Sequence, residues 1–112
     1  TRSAGLDVTM TSNGTEKELD PSVEHAAYRM IQEGLTNAMK HAGVGADVTI
    51  RQTWADGALK VSVRTRDGVR TTAKLAGGNG LANLSERIHL VGGSFEAMPL
   101  ADGFLLSAQF PS

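Results

Sequence analysis

One run of helical periodicity, Val23 to Ala42, lies between stretches that alternate every second residue, and this change of period decides what the chain can fold into. At about 100° per residue, Val23, Ala27, Ile31, Gly34, Ala38 and Ala42 share one side of a long helix. A helix with a single apolar side has to be laid on another element, and the alternating stretches supply a sheet.

Those stretches can be placed one by one. Leu6, Val8 and Met10 alternate with Asp7, Thr9 and Thr11 and read as a half-buried strand closed by a turn at Ser12-Asn13-Gly14. Asp20-Pro21 supplies an N-cap and then a proline at the first helical position, where its missing N–H costs nothing. Gly43 and Gly45 stop the helix. From Ala46 to Trp54, Val48, Ile50, Gln52 and Trp54 share a face, and Asp56-Gly57 turns the chain into Leu59, Val61 and Val63. Arg66 to Asn79 has no sustained period and is longer than an ordinary connection. A second helix follows, with Leu81, Leu84, Ile88 and Val91 on one side and Gly92-Gly93 at its end. Phe95 and Ala97, then Phe104, Leu106, Ala108 and Phe110 around Asp102-Gly103, form a closing hairpin. The expected fold is a two-layer α/β sandwich, a mixed and mostly antiparallel sheet covered on one face by helices.

At 112 residues the chain is expected to be one domain, residues 1–112, able to bury a core without staples. It starts at Thr1, which reads as a fragment of a longer protein. A net charge of −1 disfavours nucleic acid as a partner. Without cysteine there is neither a disulfide nor a thiolate metal site. The apolar runs fall short of membrane-spanning length, so no direct membrane contact is expected.

A second stripe on the long helix carries the chemistry. Glu33, Asn37, Lys40 and His41 follow one another at i, i+4, i+7 and i+8, roughly 105° from the apolar side. An ordinary solvated face carries interchangeable charges, whereas these four are complementary. Glutamate offers a base or a water-positioning carboxylate, asparagine a neutral oxygen suited to Mg²⁺, and lysine and histidine donors for phosphate oxygens. Gly78-Asn79-Gly80-Leu81 opens the second helix, whose free N–H groups and dipole favour an anion. Each feature also has a plain structural reading, a mixed-charge face and a turn. No Gly-Lys-Ser/Thr follows the glycines, no Gly-x-Ser-x-Gly is present, and His25 and His89 have no partner at metal-ligand spacing. Trp54 either covers a base or packs as core.

Taken together the motifs are specific. Tyr28-Arg-Met-Ile-Gln-Glu33-Gly-Leu-Thr-Asn37-Ala-Met-Lys40-His41-Ala42 closely resembles the N box of the ATP-binding catalytic domain of sensor histidine kinases, in the branch abundant in actinobacteria that pairs with helix-turn-helix response regulators. Gly78-Asn79-Gly80-Leu81 through Ile88, then Gly92-Gly93-Ser94-Phe95, resembles the same family's G2 box, its helix and its next strand. The resemblance runs the length of the chain and implies the Bergerat-type (GHKL) ATP fold. It implies that Asn37 coordinates Mg²⁺ on ATP, that Glu33 polarises the phosphoacceptor or positions water, and that Lys40 and His41 contact phosphates. Gly78, Gly80 and Leu81 then close on the nucleotide. The implied partners are a histidine-bearing dimerisation domain and a response regulator, and the implied location is cytoplasmic.

Two boxes depart from the family. Its G1 box is Asp-x-Gly-x-Gly, the aspartate accepting from the adenine amine, while this chain has Thr65-Arg66-Asp67-Gly68-Val69. The gapless register puts Thr65 in the aspartate position, and a slide by two puts Asp67 there, on the same strand face by parity. Neither restores the glycines. Replacing a charge-assisted acceptor by a neutral one costs about 1–3 kcal/mol. Gly103-Phe104 also stands where the family usually has Gly-Thr. The expected activity is transfer of the γ-phosphoryl of Mg-ATP to a histidine on a separate domain. The alternative is a degenerate pseudokinase module that binds nucleotide weakly or not at all and acts by docking.

Overall fold

The computed structural model describes residues 2–3, 6–41, 45–55, 57–66 and 79–111. In chain order the elements are β1 (Arg2–Ser3), β2 (Leu6–Asn13), α1 (Pro21–His41), β3 (Asp47–Ala55), β4 (Ala58–Arg66), α2 (Asn79–Leu90), β5 (Ser94–Leu100) and β6 (Gly103–Pro111). They form one six-stranded sheet in the order β1-β2-β3-β4-β6-β5. Only β2 and β3 run parallel, as they must when α1 carries the chain between them; the other neighbours are antiparallel. The two-layer sandwich expected from the alternating periods is present. The strand Arg2–Ser3 is an addition, too short to show a period.

Both hairpins sit where the glycine turns place them, with Ala55 opposite Ala58 and Leu100 opposite Gly103. Residues facing the helices line up across the sheet in four rows. Val48, Thr65 and Phe104 form one; Ile50, Val63 and Leu106 the next; then Gln52, Val61 and Ala108; then Trp54, Leu59 and Phe110. Of these twelve, only Gln52 is not buried. This surface is the core, and α1 packs on β3, β4 and β6 while also touching α2.

α1 starts as its sequence dictates. Asp20 Oδ1 accepts from the Ser22 hydroxyl at 2.7 Å and from the Ser22 N–H at 3.0 Å, and the Asp20 carbonyl accepts from Glu24 N–H at 2.9 Å. These bonds, the hydroxyl's first, hold the Asp20 carboxyl below its ordinary range. α2 ends in a Schellman arrangement: Gly93 N–H donates to the Ile88 carbonyl and Gly92 N–H to the His89 carbonyl. Gly92 takes φ 85°, a conformation costly for any residue with a Cβ.

Two details differ from the periodic reading. The buried side of α1 is wider than one stripe, adding Ala26, Met30 and Asn37 to Val23, Ala27, Gly34 and Ala38, because the helix meets α2 as well as the sheet. Met10, expected inside, is exposed. It lines an open groove of about 700 Å³ beneath the β2–α1 connection, with Leu19, Tyr28 and Trp54.

Candidate functional site

The seam between α1 and the sheet is unusually close at one point. A Cβ added to Gly34 would lie 2.7 Å from Val63 Cγ1, so the helix backbone rests on the valine itself. Asn37 lies three residues further along the helix, about 4.5 Å in rise. Thr65 lies two residues beyond Val63 on the same strand face, about 7 Å along it. Two polar residues are thereby buried close to one contact.

Both are buried, each with a polar atom left over. Asn37 is 3% exposed and Thr65 0%, the two buried polar residues among those described. Among the described residues neither Asn37 Nδ2 nor Thr65 Oγ1 has a hydrogen-bond partner. Helical periodicity put Asn37 on a polar stripe; its burial rules out a plain solvated face at that position. An unsatisfied buried donor or hydroxyl costs about 1–3 kcal/mol, so each calls for an explanation, and a ligand is one.

Glu33, half-buried, lies one helical turn before Asn37 on the same flank of α1. With Arg29, Asn83, Glu86 and Arg87 it lines a cleft of about 350 Å³ between α1 and α2. No sequence period signals this charged cleft, since its members come from two helices far apart in the chain. Lys40 and His41 belong to the last turn of α1, and their side chains lie outside the described residues. Asp67, Gly68 and Gly78 lie outside them as well. Gly80 falls in the first turn of α2, which carries no acidic residue, and Leu81 is half-buried beside it.

The end of β4 is firmly held. Thr65 pairs with Val48 and Phe104, and Arg66 pairs with Gly103. A Cβ on Gly103 would collide with the Thr65 carbonyl, so glycine is what allows β6 to come this near. On the opposite sheet face, Arg64 Nη2 donates to Asp102 at 3.2 and 3.4 Å, and Arg66 Nε lies 3.4 Å from the same carboxylate. The Arg64 bond, then the charge of Arg64 and of Arg66, pulls the Asp102 carboxyl below its usual range. This two-arginine clamp has no local sequence signal. Its members are separated by some forty positions, although the Asp-Gly turn that carries the carboxylate is plain.

Trp54 takes the packing role. It is 8% exposed, with Nε1 unpartnered among the described residues, in the row of Leu59 and Phe110. Six residues of β3 separate it from Val48 in the Thr65 row, about 20 Å of strand. It cannot cover a base that reaches Thr65.

No protein-family model matches the chain. Among curated proteins it is similar to the sensor histidine kinase YxjM of Bacillus subtilis (strain 168), with 30% identity over 92 residues, 81% of this chain and 22% of YxjM. The chain therefore spans less than a quarter of that relative's length. Among solved structures it superimposes on the histidine kinase domain of a blue-light activated histidine kinase from Erythrobacter litoralis with a TM-score of 0.76 and 18% identity, covering 96% of this chain and 52% of that one. The catalytic domain of the histidine kinase ThkA gives a TM-score of 0.71 at 17% identity, covering 96% and 80%. The histidine kinase AdeS of Acinetobacter baumannii gives 0.74 at 15%, covering 96% and 55%. The fold is that of histidine kinase catalytic domains. Among the described residues no helix is long and apolar enough to cross a membrane.

Proposed function

We propose that this chain is the ATP-binding catalytic domain of a sensor histidine kinase, a single unit of a longer cytoplasmic or membrane-anchored protein. In this reading it binds Mg-ATP and passes the γ-phosphoryl to a histidine on a separate dimerisation domain. The observation that carries the reading is Asn37, buried with an unpartnered Nδ2 at the position where the N-box resemblance requires a magnesium and phosphate ligand. The similarity to YxjM and the shared fold support it.

The residues present fit the cofactor. Among those described, no three acidic or histidine side chains converge as a metal cage, and Mg²⁺ is typically held by few protein ligands together with substrate phosphates. Asn37 would give its amide oxygen to the ion and its orphaned N–H₂ to a phosphate oxygen. Bound Mg²⁺ supplies charge neutralisation on the polyphosphate. Lys40 and His41 would hold phosphate oxygens, and the α2 N-terminus with Gly78, Gly80 and Leu81 would close on them. Glu33, which lines the α1–α2 cleft, would orient the acceptor imidazole by accepting from one ring N–H while the other ring nitrogen attacks phosphorus and ADP departs. Thr65, or Asp67 with Gly68, would meet the base. The response regulator and the actinobacterial branch belong to the same proposal. A net charge of −1 gives no reason to add nucleic acid to the partners.

The test is to mix this chain with matched dimerisation domains and labelled ATP. Acid-labile phosphohistidine on the acceptor, lost with Glu33→Gln, is expected; no label with several acceptors would overturn the kinase reading. One observation favours a second reading, a docking module with weak nucleotide binding. Thr65 is neutral where the family carries a carboxylate.

A further inference from the structure

We infer that Thr65 makes the base end of this site indifferent to the group at C6 of a purine, so that 6-amino and 6-oxo purine nucleotides bind alike. The inference rests on the reading above, in which the base reaches the end of β4.

Thr65 is the 0%-exposed polar residue of its row, with Val48 on one side and Phe104 on the other. Neither neighbour offers its hydroxyl a side-chain partner, and among the described residues Oγ1 has none. The backbone beneath is fixed, by ladder pairing to Val48 and Phe104 and by the close approach of Gly103 to the Thr65 carbonyl. The Arg64–Asp102–Arg66 clamp on the opposite face holds the residues on either side. The backbone that carries the orphaned hydroxyl is held in place, and the O–H can turn to suit a partner.

That torsion sets the specificity. A carboxylate only accepts, so it takes the amine of a 6-amino purine and leaves two lone pairs facing each other when C6 carries a carbonyl. A hydroxyl has one donor and two acceptor sites and turns to suit its partner. It accepts from the amine or donates to the carbonyl, and in neither case is a buried polar atom left unpaired. A site that would leave such an atom unpaired rejects a base strongly, and this one leaves none.

Calorimetry with ATP and inosine triphosphate in the presence of Mg²⁺ tests this, because the two differ only in the group at C6 and its ring protonation. GTP serves as a third ligand that adds the 2-amine. The expected result is dissociation constants for ATP and inosine triphosphate within about threefold of each other. Thr65→Ser should keep this parity, and Thr65→Val should weaken both nucleotides together. Thr65→Asp, if circular dichroism shows it folded, should favour ATP by about tenfold or more. ATP binding with inosine triphosphate rejected by about tenfold in the unaltered chain, or full affinity for both in Thr65→Val, would overturn the inference while leaving the nucleotide reading intact. No binding of any nucleotide to a folded chain would remove both.

Discussion

Gly34 rests on Val63, with 2.7 Å between the position of an added Cβ and the valine Cγ1, and 3.3 Å to its Cβ. Val63 is β-branched and fully buried, so it has no flexible end to move aside. Gly34→Ala would gain about 1 kcal/mol of helix propensity, against about 1–3 kcal/mol for overpacking. Overpacking is expected to win, with a net loss measurable by urea denaturation. Val63→Ala in the same chain should recover part of it, as a double-mutant cycle would show. Additive losses would mean that the two residues do not press on each other.

The unpartnered polar atoms predict an inverse relation between stability and binding. Thr65→Val removes the buried hydroxyl at nearly constant volume and should stabilise the free chain by up to about 1–3 kcal/mol, while nucleotide affinity falls. Trp54→Phe also removes a buried orphan, the indole N–H. Lying at the other end of β3, it should leave nucleotide affinity unchanged. Thermal unfolding and calorimetry on both variants separate the two effects.

Acid should loosen the β4–β6 corner. The folded-state pKa of Asp102 is lowered, so its contribution to stability is complete above the unfolded carboxylate value of about 3.9 and is lost as pH falls through the lower folded value. Asp102→Asn should therefore be less stable than the parent at about pH 6, and the gap should close as pH falls through the lowered folded value. High salt should narrow it too, since the carboxylate is exposed.

Much of this fold is legible in local chemistry. Asp20-Pro21, Asp56-Gly57, Gly92-Gly93 and Asp102-Gly103 mark helix and strand limits because each satisfies or frees particular backbone groups, and the elements end beside them. The position of β6 between β4 and β5 is a different matter. It depends on pairing across some forty residues, to which a period of two is blind. Asn37 shows the same limit within the site. A helical wheel sets it beside Lys40 and His41, yet it is buried, because what covers a helix flank is decided by elements distant in the chain, to which periodicity is blind. The Arg64–Asp102 clamp and the Arg29–Arg87 cleft likewise exist only once distant elements have met.

Asn37 bears most directly on function. The deciding measurement is titration of the chain with ATP by calorimetry, with and without Mg²⁺, beside Asn37→Ala and Asp67→Ala. Binding that requires magnesium and is lost in Asn37→Ala is the predicted result. Retention in Asp67→Ala would leave Thr65 to face the base, and loss would assign that role to Asp67. No heat up to about millimolar ATP, from a chain that circular dichroism shows to be folded, would contradict the account and leave a docking module in its place.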